Sequence, residues 1–375
     1  MKLIRTFLIL FVMLAVVCPL FAQGNGETSS DPIVIGVIAA RTGDNAGLGE
    51  MQGNGAQLAA NEINAKGGVL GRQIKLIFED SQGVPAQATA ALNKLIYRDN
   101  AIAIVGDCQS SPCLAMMPVV EEAKIPMLAH GTALSICEQG NQWVFRTRAN
   151  DPVKFGSLAA FLENEGYKRI AVLHDNVDYG LGGMQAIAST LEGKDLIVAE
   201  ESFTPGDKDY SSQIIKLKNA NPDVLVVIGP MADMGLAMKQ CRQMGLECQF
   251  AGGAGIEGST TLDAAGGAGE GLIFAAGFIA ASPDPQVSSF VKSFEKLSGG
   301  KTPDDFAATG YDSIYILAAA IEHAGSSDPV AIQKALHEIS VTGVEGVFQF
   351  DEKGEGLHSM QYGTIKNGTV AYYEN

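Results

Sequence analysis

Two hydroxyl residues, Ser110 and Thr132, sit in the two small-residue turns of one stretch, AIAIVGDCQSSPCLAMMPVVEEAKIPMLAHGTAL, residues 101–134. Hydroxyls at such turns, joined by the free N–H groups of helix starts, suit a small anion, most simply a carboxylate. The competing reading is that both merely cap helices, a role Ser and Thr favour. The elements that would position them follow from the same residues. Ile102–Val105 is a short apolar run of buried-strand type. Ser110 or Ser111 can cap the next helix, Pro112 suits its first turn, and the helix should stop before Pro126. A second run, Pro126–Ala129, leads into His130-Gly131-Thr132. In a parallel α/β sheet both turns lie at the carboxyl ends of their strands, the edge at which such sheets bind ligands.

The chain has 375 residues, enough for two domains. Residues 1–22 read as a secretory signal peptide: Lys2 and Arg5, an apolar run from Leu8 to Val17, then the small-residue pattern Leu20-Phe21-Ala22. Lipidation at Cys18 is the alternative, disfavoured by Val17 before it. Loss of Lys2 and Arg5 leaves 24 basic residues against 42 acidic, a net charge of −18. Such a surface repels nucleic acid and anionic lipid but does not forbid an anionic ligand in a site lined by backbone amides. Five cysteines remain, Cys108, Cys113, Cys137, Cys241 and Cys248. Cys241–Cys248, or Cys137 with Cys108 or Cys113, are candidate bridges. The histidines are scattered and no C-x-x-C occurs, so a metal site is not expected.

Strand-type runs alternate with helical ones along the chain. Ile33–Ala39 and Ile74–Phe78 read as strands, with a Gly-rich loop over 41–49, a helix from about Glu50 to Ala65 and another over Ala86–Tyr97. The pattern restarts at Asp151-Pro152, with Asp151 as helix cap. Strands Arg169–Leu173, Leu196–Glu200, Val224–Ile228 and Gly271–Ala276 then alternate with helices Met184–Leu191, Tyr210–Ala220 and Met231–Met244. Two such series mean two βαβ lobes. Helices Pro285–Leu297, Phe306–His323 and Pro329–Ile339 follow, and should pack back on the first lobe. Lys366-Asn367-Gly368 gives a closing hairpin. The chain would cross between lobes several times, which makes a hinge.

Enzyme signatures fail one by one. Gly47-x-Gly49-x-x-x-Gly53 misses the dinucleotide spacing, Gly300-Lys301-Thr302 lacks the first P-loop glycine, and His337-Glu338 lacks its second histidine. No G-x-S-x-G elbow occurs. Tyr179, after His174-Asp175-Asn176, sits where it can cover a ligand from the second lobe.

The segments IVIGVIAARTG, INAKGGVLGRQIKLIFEDSQGVPAQA, VGDCQSSPCLA, AVLHDNVDYGLG, FTPGDKDYSSQI, MADMGLAMKQCRQMGLECQF and FQFDEKGEG occur in that order. In them the chain resembles the leucine/isoleucine/valine-binding proteins of bacterial ABC uptake systems, with the type I periplasmic binding fold. The resemblance implies an α/β protein of two Rossmann-like, parallel-sheet lobes joined by a multi-strand hinge. Residues 31–149 and 280–355 would form lobe 1, and 150–279 and 356–375 lobe 2. It implies that Ser110 and Thr132, with the amides around Gln109 and Gly131 and the neighbouring Cys108 and His130, hold a ligand carboxylate. Tyr179 would join from lobe 2. The acid that holds a ligand ammonium falls at Ala254, and the two aromatics fall at Pro230 and Leu48. The anion half of the site is kept and the ammonium half is missing. The ligand expected is therefore a small carboxylate, either branched-chain-amino-acid-like, with Asp233 or Glu257 supplying the acid, or an amine-free aromatic or aliphatic acid, which is preferred. The resemblance further implies a periplasmic monomer without cofactor or metal that docks on an ABC permease and does not bind nucleic acid. A sensor docking on a membrane receptor, and an exported enzyme, are the rival readings.

Overall fold

A computed structural model describes residues 31–253, 255–356 and 360–373. The proposed leader and Cys18 lie outside them. The first lobe opens with β1 (Ile33–Ala39), α1 (Ala46–Ala65), β2 (Ile74–Asp80), α2 (Pro85–Tyr97), β3 (Ala103–Val105), α3 (Ser110–Ala123), β4 (Met127–Ala129), α4 (Ser135–Glu138) and β5 (Val144–Arg146). The second contains α5 (Asp151–Asn164), β6 (Ile170–Asp175), α6 (Asp178–Thr190), β7 (Ile197–Phe203), α7 (Ser211–Asn219), β8 (Val224–Ile228), α8 (Met231–Gln243), β9 (Gln249–Gly253), α9 (Ser259–Ala265) and β10 (Ile273–Ala276). Next come α10 (Pro285–Ser298), α11 (Asp305–Ala324), α12 (Pro329–Glu338) and the small hairpin β11 (Val341–Gly343) and β12 (Gly346–Phe348). The hairpin β13 (Gln361–Lys366) and β14 (Thr369–Tyr372) ends the chain.

The first sheet is parallel, in the order β2-β1-β3-β4-β5. The second runs β14-β13-β10-β9-β8-β6-β7, parallel except for the last hairpin at its edge. β1 is apolar almost throughout because it is covered on both faces, as a central parallel strand must be. Ile35 and Val37 face a core shared with α1, α11 and α12, while Ile38 joins the core under α2 and α3. α11 lies tight on α1 because two glycines let the backbones meet. A Cβ on Gly55 would fall 1.9 Å from the Ala307 carbonyl oxygen, and one on Gly310 would fall 2.2 Å from that of Gln52. The chain passes between the sheets three times: after β5, after β10 and after β12.

Several local expectations are corrected. α1 starts at Ala46 and α6 at Asp178, earlier than read, because glycines that resemble loop residues are helical positions of close approach. A Cβ on Gly49 would fall 1.9 Å from the Ala40 carbonyl oxygen, and one on Gly180 would fall 2.2 Å from that of Asp175. Asn150, not Asp151, caps α5, its side chain accepting from Val153 N at 2.9 Å. Neither candidate disulfide forms: the five described cysteines are free and buried. Three of their thiols donate to oxygen, Cys108 to Gln52 Oε1, Cys113 to the Asp107 carbonyl and Cys137 to the Gly354 carbonyl. The final turn is as expected, with Asn367 and Gly368 both at positive φ.

Candidate functional site

A cavity of about 380 Å³ lies between the lobes. Each sheet reverses its strand order once, at β1/β3 in the first and at β6/β8 in the second. Loops leaving the carboxyl ends of such strands are where open α/β sheets bind ligands. Both switch points line this one cavity: Asn45 and Leu48 after β1, Cys108, Gln109 and Ser110 after β3, Asp175 at the end of β6 and Tyr179 beyond it, and Pro230 and Met231 after β8.

Ser110 is the hinge of the anion end. It is the first residue of α3, whose cap position is Gln109 and lacks a side-chain bond, so neither Ser110 nor Ser111 caps the helix as expected. Instead Ser110 Oγ accepts the Thr132 and Ala133 amides at 3.2 and 3.1 Å. With both lone pairs used, its O–H is left to donate. The amides of Ser110 and Ser111 open the helix and have no intrahelical carbonyl to meet. Asp107 fixes this turn: Oδ1 accepts from Gln109 N at 2.9 Å and Oδ2 from the Ser81 hydroxyl. Burial raises the Asp107 carboxyl to about 6.

Of the residues singled out in the sequence, Leu48, Cys108, Gln109, Ser110, Tyr179 and Pro230 line the cavity. Ala254 lies outside the described residues. Thr132, Gly131 and His130 stand behind the wall. The Thr132 amide is spent on Ser110, and its Oγ1 accepts from Lys154 Nζ at 3.2 Å. Gly131 is packed so closely that a Cβ there would fall 2.9 Å from Ser110 Cα. The His130 ring turns into the lobe, Nε2 lying 2.8 Å from Ser313 Oγ on α11. Burial, with the Arg148 charge, lowers its pKa to about 3, so the ring is neutral.

Arg148, Asn45 and Phe306 were missed and all line the cavity. Arg148 is buried, bonds Asp305 Oδ2 through Nε (3.1 Å) and Nη2 (2.7 Å), and stacks 4.1 Å from the Phe306 ring centroid. Its Nη1 donates to the His130 carbonyl at 3.3 Å. Lys154, also missed, sits behind Tyr179. The one signal available was position: Arg148 and Lys154 flank the restart at Asp151-Pro152, the first inter-lobe crossing. Of the two substitute acids, Asp233 holds Gly206 N and Glu257 holds Gly255 N, each at 2.8 Å, and neither lines the cavity.

The cavity walls are mostly apolar, Leu48, Met231, Met234 and Phe306 among them, with Ser110, Arg148 and Asp175 as polar groups in the same lining. The lobes touch across it, the Ser111 hydroxyl on α3 donating to Asp178 on α6. The described lining thus combines a polar end at Ser110 with an apolar body.

A family model described as periplasmic binding protein matches residues 32–369. The chain is 33% identical over 350 residues to a leucine-, isoleucine-, valine-, threonine- and alanine-binding protein of Pseudomonas aeruginosa, covering 92% of this chain and 90% of that one. Among solved structures it resembles the leucine-binding protein LivK of Thermotoga maritima (TM-score 0.85, 30% identity, 91% of this chain and 98% of that one). It also resembles LivJ of Streptococcus pneumoniae in complex with isoleucine (TM-score 0.85, 26% identity, 90% and 97%).

Proposed function

We propose the following function for this chain, which belongs to the periplasmic binding protein family: it captures a small carboxylate-bearing solute between two closing lobes for an ABC permease. The observation that carries it is Ser110, whose hydroxyl has both lone pairs filled by the Thr132 and Ala133 amides and therefore offers its proton to the cavity. A carboxylate at that end meets this O–H and the helix-start amides of Ser110 and Ser111. The solute body rests on Leu48, Met231 and Phe306. Residues 31–149 with 280–355, and 150–279 with 356–375, are the two moving bodies, and the three crossings are their hinge. Closure brings Tyr179 and Pro230 over the solute and excludes water, which strengthens each polar contact. The protein works as a periplasmic monomer, and its closed form is what the permease reads. The relatives named above, binding proteins for leucine, isoleucine and similar amino acids, support a carboxylate ligand.

A thermal-shift and calorimetric screen of the mature protein tests this. Branched-chain amino acids, their amine-free analogues and aromatic acids form the panel. A bound solute at a hundred times its dissociation constant adds about 2.7 kcal/mol of stability. Recovery of the solute unchanged after long incubation is the second expected result. Failure of every carboxylate to stabilise, or turnover of one, overturns the proposal.

A further inference from the structure

Lys154 on α5 is 2% exposed, yet it does not line the cavity. Its Nζ lies 3.2 Å from Thr132 Oγ1, 3.6 Å from Asp151 Oδ1, 4.5 Å from the Tyr179 ring centroid and 4.6 Å from that of Phe155. A carboxylate, a hydroxyl acceptor and two ring faces are what a free primary ammonium requires. The cage abuts the anion end of the cleft directly. Tyr179 lines the cavity, and the Thr132 amide is bonded to Ser110 Oγ. Asp151 is fully buried, and Lys154 is the foremost charge that answers its own, with the Thr132 hydroxyl and Arg146 contributing less. The stem of Lys154 reaches the cage past Gly253, where a Cβ would fall 3.1 Å from Lys154 Cδ.

We propose that the chain fills its own ammonium cage with Lys154, and that its solute is accordingly a carboxylic acid without an α-amino group. This rests on the carboxylate-capture function proposed above. An α-ammonium sits two bonds from its carboxylate, so a solute anchored at Ser110 would bring a second cation against the first. The acid nearest that end, Asp151, is already paired. Two other acids border the cavity: Asp44 is exposed, and Asp175 is held by the Val177 and Gly180 amides through Oδ1. The remaining charges near Lys154 are Arg148 and Asp305, which are paired with each other.

The test compares matched solutes, 4-methylpentanoate against leucine and 3-phenylpropanoate against phenylalanine, by calorimetry on the mature protein. The wild type should prefer the amine-free member of a pair at least tenfold. Lys154→Ala should shift that ratio toward the amine-bearing member by at least tenfold. Lys154→Met, which keeps the stem, serves if the alanine variant does not fold, and should shift the ratio in the same direction. Propylammonium should raise the Tm of Lys154→Ala but not of the wild type or of Lys154→Ala/Asp151→Asn. Tight leucine binding by the wild type, abolished by Asp175→Asn and untouched by Lys154→Ala, overturns the assignment, as does an unchanged ratio in both Lys154 variants. Either result leaves carboxylate capture standing. Failure of every acid to bind overturns capture itself and the solute class with it.

Discussion

Arg148 and Asp305, 157 residues apart, form a buried clamp in which Nε and Nη2 both bond Oδ2, at 3.1 and 2.7 Å. The other carboxylate oxygen of Asp305 accepts the Gly277 and Phe278 amides at 2.8 and 3.0 Å. One side chain at the start of α11 thus ties together the first inter-lobe crossing, which carries Arg148, and the second, which begins at Gly277. Arg148 also borders the cavity, so the hinge and the solute share a residue.

Breaking this clamp by Asp305→Ala strands a buried guanidinium and two amides. Removal of one partner of a buried pair costs about 3–5 kcal/mol. Urea unfolding of the ligand-free protein should show a loss of that order. Arg148→Met/Asp305→Leu should recover the part due to the unpaired charge, while the Gly277 and Phe278 amides remain stranded. A loss below about 1 kcal/mol in Asp305→Ala would show that the hinge does not depend on the clamp.

Ser110→Ala removes the acceptor of two buried amides and the donor offered to the cavity. The stranded amides cost stability in free and bound protein alike, while the lost hydrogen bond to a charged carboxylate, about 1.5–3 kcal/mol, should lower affinity roughly tenfold to a hundredfold. Thr132→Ala keeps the amide that bonds Ser110 and loses the acceptor of Lys154 and a hydroxyl beside Asp151. Its effect on calorimetric affinity should be the smaller. Equal losses would mean that Thr132 meets the solute directly.

The architecture was readable because it repeats. Two runs of apolar strands alternating with helices give two parallel sheets, and the turn at Ser110 falls at a switch point for topological reasons alone. What stayed hidden depends on partners distant in sequence. Arg148 reads as one more charged residue until α11 folds back and delivers Asp305. Ser110 reads as a cap because local chemistry favours that, yet its acceptor sites are claimed by amides 22 and 23 residues on. Glycines misled for a related reason: Gly49 and Gly180 break helices by propensity, and here they permit close contacts only the folded chain makes.

Buried acids give the protein an inverted pH response. Burial raises Asp107, Asp175 and Asp304 to about 6 and Glu257 from 4.5 to about 8, and pushes the neighbouring Asp312 and Glu345 carboxyls up as well. Between their ordinary and raised values the native state binds more protons than the unfolded one. These acids lower stability as pH rises from about 4 to 8, outweighing the single buried His130, whose lowered pKa works the other way below about pH 6.5. The Tm should be higher at pH 5.5 than at pH 8. Glu257→Gln should raise Tm at pH 8, leave it nearly unchanged at pH 4.5 and flatten the slope between. A steeper slope in the variant would place the titration elsewhere.

Closure can be blocked at one atom. Gly47 on α1 faces α9 of the other lobe, and a Cβ there would fall 2.4 Å from Thr260 Oγ1 and 3.7 Å from Met231 Sδ. Gly47→Val adds a branched side chain at this seam while leaving the core of each lobe untouched. The lobes should be held apart, so the closed complex pays the clash and the open form does not. Solute affinity should drop at least tenfold, equivalent to about 1.4 kcal/mol. Unfolding of the ligand-free protein should change by less than about 1 kcal/mol, because Gly47 is half-buried only by the other lobe and a helix position freed from that contact tolerates valine at small cost. Small-angle scattering should show the variant keeping a larger radius of gyration than the wild type at saturating solute. Thr260→Gly in the same chain clears the first contact and should restore part of the affinity. Wild-type affinity in Gly47→Val would mean that the solute is held without the approach of α1 to α9, and that the closed arrangement is not the binding form.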